Sequence, residues 1–118
     1  MKYMLLIYMN PAQFETLSEE ERNGIFSGHD EFQRVTRASG EFVRTEAFDF
    51  PPNSFTVRVR GGVPVVSDGL YLDSKEFCCG YYLVDCASKE RAIELAALVP
   101  DATYTGMEVR PLLNVDGD

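Results

Sequence analysis

The segment Phe77–Asp85, Phe-Cys-Cys-Gly-Tyr-Tyr-Leu-Val-Asp, carries apolar or aromatic side chains on both of its alternating faces. A strand of that kind needs cover from both sides. Residues 1–9 are built the same way, with Tyr3, Leu5, Ile7 and Met9 on one face and Met4, Leu6 and Tyr8 on the other, and Asn10-Pro11 closes the run. Two such strands belong in the middle of a sheet. What covers them decides the fold.

Two helices are available. Ser18 can cap the first, with Glu21 reaching back three residues later and Glu19 and Glu20 set favourably against the helix dipole. The helix is predicted over residues 19–39, with Ile25, His29, Phe32 and Thr36 on one stripe, flanked by Phe26 and Val35, and with Gly40 ending it. Ser88 can cap the second, whose buried stripe is Ala92, Leu95, Ala96 and Val99, and Pro100 forbids a simple continuation. Between them, residues 41–48 read as a strand with Phe42, Arg44 and Glu46 on one face and Val43, Thr45 and Ala47 on the other. Residues 54–60 and 63–67 straddle Gly61-Gly62, a pair suited to a tight hairpin turn. A polar loop, 68–76, leads into Phe77–Asp85, and 105–112 is the last strand. The order is that of an α+β, ferredoxin-like βαββαβ sheet with an inserted β-hairpin. Two helices cover only one face of a four-stranded sheet. The other face calls for a second sheet, and the simplest supplier is a second copy of the chain, giving a homodimer with its sheets face to face.

At 118 residues the chain fits one domain, 1–113, followed by a solvated tail, 114–118. Lys and Arg number 11 against 19 Asp and Glu, a net charge of −8, which disfavours nucleic acid and anionic membrane surfaces as partners. Three cysteines, two of them adjacent and pointing to opposite faces of a strand, imply no disulfide framework. The apolar start is too short for a signal peptide or a span, and no later run approaches the length of a membrane helix, so the expected address is the cytoplasm. One histidine and no Cys-x-x-Cys pair leave no recognisable metal set, and no glycine-rich phosphate loop is present, so no cofactor is expected.

His29, the only histidine, lies on the apolar stripe of the first helix and so faces the sheet. It is the candidate general base or acid, against the alternative of a half-buried histidine satisfied by a carbonyl, tyrosine or carboxylate. Asp30 points about 100° away around the helix and is not its partner. Asp68 either orients His29 or fixes its own Asp-Gly turn. Lys75 either anchors an anionic group of a ligand or pairs with Glu76. Arg44, Arg58 and Arg110 can fork onto a carboxylate ligand or onto the chain's own acids. Tyr8, Tyr81 and Tyr82 suit either a largely apolar pocket or a dimer interface. The cysteines read as inert packing. The expected site is a cleft between the first helix and the sheet that binds a small organic molecule, with His29 and Asp68 as catalytic candidates and Tyr8, Lys75, Arg44 and Tyr81 as ligand contacts.

Taken together, MKYMLLIY, TVRVRGG, SDGLYLDSKEFCCGYYLV, ASKERAIELAALVP and GMEVRPL resemble the YCII-related proteins, in particular the branch named for its DGPF motif. Asp68 and Gly69 match that motif, Leu70 stands in place of its Pro and Tyr71 in place of its Phe, where a buried ring would need a partner for its hydroxyl, and Asp73-Ser74-Lys75-Glu76 match its continuation. The resemblance implies a dimeric α+β barrel. It also implies small-molecule enzymes that pair a His on the first helix with an Asp near the helix end. His29 stands at that His, but Ala38-Ser39 stand where the Asp would fall, so that dyad is not carried over and a hydrolase or dehydrochlorinase reading loses support. A different class remains open: the DGPF branch is associated with alternative sigma factors, which implies a non-catalytic accessory or regulatory protein that binds another protein.

Overall fold

The computed structural model describes residues 1–113; the expected tail, 114–118, lies outside the described residues. Strand β1 (Lys2–Met9) leads through a short helix α1 (Pro11–Thr16) into the long helix α2 (Glu19–Ser39) and strand β2 (Phe42–Ala47). The hairpin β3 (Phe55–Arg60) and β4 (Val63–Asp68) follows, then β5 (Phe77–Asp85), α3 (Lys89–Leu98), the single turn α4 (Asp101–Tyr104) and β6 (Gly106–Pro111). Four strands form one antiparallel sheet in the order β2-β5-β1-β6, so the two doubly apolar strands are its centre, and the hairpin is a separate two-stranded sheet.

The caps of α2 are as the sequence predicts. Ser18 Oγ accepts from the Glu21 amide at 3.0 Å, the Glu21 carboxylate accepts from the Ser18 amide at 3.0 Å, and Gly40 closes the helix at φ 81°. Ile25, Phe32 and Thr36 are buried against the sheet, and the Thr36 hydroxyl is satisfied by the Phe32 carbonyl at 2.8 Å. Tyr3, Leu5, Phe32, Tyr82, Val84, Ala92, Leu95 and Val99 form the core between the helices and the sheet. Arg91 of α3 forks onto the Glu41 carboxylate with two 2.9 Å bonds and ties the two helices together at the α2–β2 corner.

Two β-bulges change the expected faces. On β2 the register jumps between Phe42 and Arg44, so Phe42, opposite Val84, shares the helix side with Thr45, opposite Tyr82. Strict alternation would have put Phe42 with Arg44 and Glu46. On β5 the extra residue is Cys79: Ile7 faces Gly80 and Tyr8 faces Cys78, which brings Phe77 and Cys79 to the helix side instead of joining Tyr81 and Leu83. Gly80 is required here, since a Cβ on it would meet the Glu46 carbonyl oxygen at 2.7 Å.

Among the described residues no helix packs on the other side of the sheet, although Leu83 (3% exposed) and Tyr81 (9%) are buried there. Met4, Leu6 and Tyr8 of β1 meet Leu83 and Tyr81 of β5 at its centre, with Arg44 and Glu46 along one edge and Glu108 and Arg110 along the other. The hairpin stands apart. Its turn takes positive φ at both Gly61 (56°) and Gly62 (79°), and the register Phe55↔Asp68, Val57↔Val66, Val59↔Pro64 leaves Phe55, Val57, Val59, Pro64 and Val66 on one exposed face. The radius of gyration, 16.3 Å, exceeds the ~13.5 Å of a compact chain of this length because of this arm.

Candidate functional site

A cleft of about 1090 Å³ opens between α1, α2 and the helix side of the sheet. Its walls are apolar: Ile7 and Met9 of β1, Phe77 and Gly80 of β5, Phe14 of α1, Ile25 and Phe26 of α2, and Phe50-Pro51-Pro52 at the turn before the hairpin. Four of its polar residues, His29, Gln33, Tyr82 and Asp101, meet at one end, while Glu15, Thr45 and Glu46 border it elsewhere.

That end is a connected chain. His29 Nε2 lies 2.6 Å from Asp101 Oδ1 and Nδ1 lies 2.7 Å from the Tyr82 hydroxyl. An ionised carboxylate only accepts, so Nε2 carries the hydrogen, and in the neutral imidazole Nδ1 then presents its lone pair to the Tyr82 O–H. Gln33 Nε2 donates to the same phenol oxygen at 3.4 Å. His29 and Asp101 retain 22% and 16% of their side-chain exposure, so both are screened from bulk water without being sealed. The Tyr82 ring is held by Phe32, with centroids 4.4 Å apart, and burial raises its phenol above the ordinary value, which keeps it protonated at neutral pH. Cys79 also borders the cleft; burial first, and then the Asp101 charge, push its thiol up to about 11, so it stays a thiol and packs rather than attacks.

Each member has a local cause. His29 is on the buried stripe of α2 one turn after Ile25. Tyr82 is on the helix side of β5 by strand parity. Asp101 comes from α4, which sits against α2 because Gly28 has no side chain: a Cβ there would lie 2.3 Å from Pro100 Cγ. Gln13 of α1 donates to the Tyr104 carbonyl at 2.6 Å and fixes the other end of that turn.

The other expected site residues lie elsewhere. Tyr8 is on the uncovered side of the sheet, because on β1 its neighbours Ile7 and Met9 take the cleft side, and its hydroxyl donates to Glu108 at 3.2 Å. Tyr81 is on that side too, donating to Glu46 at 2.8 Å, and Arg44 is an exposed residue on the same edge. Asp68 ends β4 opposite Phe55, on the hairpin, so the carboxylate on His29 is Asp101 and not Asp68. Lys75 is exposed in the loop before β5 and does not border the cleft. Tyr71 is 70% exposed, with Arg58 over its ring at 5.0 Å, not buried. The histidine–aspartate pair is therefore present, with its carboxylate supplied from 72 residues away in sequence rather than from the end of α2.

Two elements that build the cleft were not expected from sequence, although both left signals. Asn10-Pro11 is an N-cap followed by a first-turn proline: Asn10 Oδ1 accepts from the amides of Ala12 and Gln13 at 3.1 and 3.4 Å. Pro100-Asp101 likewise starts a helical turn instead of only stopping α3. Among the described residues no group of three or more potential metal ligands converges, and no helix is long and apolar enough to cross a membrane.

The sequence matches the model of the YCII-related domain over residues 1–116. It is also similar to an uncharacterized protein of Rhizobium meliloti (strain 1021), 31% identical over 114 residues that cover 95% of this chain and 92% of that protein. With the family match running through the strands, both long helices and the cleft, this chain belongs to the YCII-related family.

Proposed function

We propose that this protein binds a small organic molecule in the apolar cleft and moves a proton on it through the chain Tyr82–His29–Asp101. The observation that carries the reading is the pair of short contacts on one imidazole, 2.7 Å to a phenol and 2.6 Å to a carboxylate, at the polar end of a cleft otherwise lined mainly by apolar side chains. As the ligand gives up a proton to the Tyr82 oxygen, the phenol proton passes to His29 Nδ1, and Asp101 faces the imidazolium that forms. The reverse sequence returns the proton to another atom of the ligand. Apolar walls suit a ligand whose acidic C–H lies beside a carbonyl.

Within the family we place the chain in the DGPF branch, since Asp68-Gly69 makes the motif's turn, with Gly69 at φ 97°. We place it further in a homodimer of the α+β barrel type. The face away from the helices supports this, with an apolar centre and opposite charges on both edges, the layout of an interface between identical subunits. Its three thiols are free, which suits a reducing compartment such as the cytoplasm.

β-Tetralone, a bicyclic ketone with exchangeable protons beside its carbonyl, tests the chemistry directly. In deuterated buffer the protein should accelerate the loss of those protons from the NMR spectrum, and His29→Ala should abolish the acceleration while the circular dichroism spectrum stays native. Equal rates with wild type and His29→Ala would end the reading. The hairpin's exposed face, Phe55, Val57, Val59, Pro64 and Val66, favours a second reading, a regulatory protein that docks on another protein through β3–β4. Under it, substitutions in the hairpin and not at His29 carry the loss of function.

A further inference from the structure

Resting on the ligand-binding reading above, we infer that the cleft accepts neutral or cationic molecules and rejects carboxylates. Charge is the first ground. Among the described residues no lysine or arginine borders the cleft, while Glu15 stands at its rim and Asp101 at its polar end. The guanidinium of Arg22, over the Phe14 ring at 5.0 Å, does not border the cleft and is engaged within the chain: Nε and Nη2 donate to the carbonyls of Phe14 and Glu15 at 3.2 and 3.0 Å.

The second ground is independent of charge. An anion taken out of water needs hydrogen-bond donors, and an apolar wall offers none. The side-chain donors on the wall are already committed inside the protein. The Thr45 hydroxyl donates to the Tyr81 carbonyl at 2.7 Å, the Tyr82 hydroxyl to His29, His29 Nε2 to Asp101, and Gln33 Nε2 to the Tyr82 oxygen. A carboxylate entering the cleft therefore meets a like, repelling charge at each end, and among the side chains in between finds only the second N–H of Gln33 and the weak S–H donor of Cys79. A neutral ring with a carbonyl or hydroxyl loses little on entry, and an ammonium at the rim faces Glu15.

Three naphthalenes carrying a hydroxyl, an aminomethyl or a carboxylate at the same ring position separate the possibilities, with binding followed by isothermal titration calorimetry at neutral pH. Naphthol and naphthylmethylamine should bind at least about tenfold more tightly than naphthoate. Glu15→Lys, an exposed position outside the proton chain, should narrow the gap by strengthening naphthoate and weakening the amine. Naphthoate binding as tightly as naphthol would overturn the selectivity and leave the exchange chemistry of β-tetralone untouched. Failure of all three to bind, together with no exchange of β-tetralone, would remove the cleft reading and this inference with it.

Discussion

Tyr81 and Tyr82 are neighbours on β5 whose hydroxyls end on opposite sides of the sheet with opposite kinds of partner. Tyr82 points under the helices and donates to an imidazole nitrogen at 2.7 Å; Tyr81 points to the uncovered side and donates to the Glu46 carboxylate at 2.8 Å. Both phenols are raised above their ordinary value, but for different reasons: burial leads for Tyr82 and the hydrogen bond to Glu46 leads for Tyr81. A carboxylate is a much weaker base than imidazole, so Glu46 holds the Tyr81 proton in place, whereas His29 can take the proton of Tyr82 and pass charge toward Asp101. Tyr8 repeats the Tyr81 arrangement across the sheet with Glu108. In the proposed reading the side closed by helices carries the proton chain, and the other side sets charged residues around an apolar centre.

The largest effects should separate the two tyrosines. His29→Ala, Tyr82→Phe and Asp101→Asn should each lower the exchange rate of β-tetralone by about a hundredfold or more, the usual contribution of a positioned acid–base group. Tyr81→Phe should leave the rate unchanged. Equal losses from the two tyrosine variants would break the comparison. Next in size is a substitution on the bare side. Leu6→Asp places an unpaired carboxylate at the centre of the proposed interface and should weaken self-association by about a hundredfold or more, seen as a shift from dimer to monomer in sedimentation velocity. Exchange per subunit should persist, because the described cleft is built within one chain. A monomeric wild type would remove the dimer.

Most of the architecture was legible in the sequence because it rests on local chemistry. Ser18 and Glu21 mark the start of α2, Gly40 marks its end, and Gly61-Gly62 set the hairpin turn; each acts through atoms within a few residues. His29 was legible as well, since the helical period alone turns it toward the sheet. What could not be read is what depends on contact between distant segments. Asp101 reaches His29 only because Gly28 admits Pro100, and Cys79 borders the cleft only because β1 and β5 pair around a bulge. Tyr8 is an expected ligand contact, yet parity on β1 opposes it to Ile7; of the two roles open to Asp68, orienting His29 or making the Asp-Gly turn, its place at the end of the hairpin leaves the turn.

Gly28 sharpens the cleft side of the comparison without touching its chemistry. Alanine in an exposed helix interior gains about 1 kcal/mol over glycine, while overpacking typically costs about 1–3 kcal/mol. The net is a loss of up to about 2 kcal/mol, so Gly28→Ala should lower the melting temperature by at most roughly ten degrees. The contact it breaks is specific, however: the proline ring must move, and Asp101 moves with it. Exchange should therefore fall by about tenfold, out of proportion to stability. A variant that melts early yet exchanges at the normal rate would show that the Pro100 contact serves the fold alone.

The smallest effect tests the bare side by pH. A phenol raised by folding keeps a proton that the unfolded chain releases, so the stabilisation is complete below the ordinary value of 10.0 and declines as pH rises beyond it. For Tyr81 the leading cause is the hydrogen bond to Glu46, and Arg44 beside it opposes the shift. Glu46→Gln removes the negative acceptor while keeping the shape. In an ultraviolet titration Tyr81 should then ionise at lower pH, and the alkaline loss of stability, which still begins near the ordinary value, should be shallower and end at lower pH than in wild type. Tyr82, raised chiefly by burial on the far side of the sheet, should titrate as before, and Tyr82→Phe assigns its share of the absorbance change. A simultaneous shift of both phenols would mean that the two faces of β5 are electrostatically coupled, contrary to the separation of roles drawn from their partners.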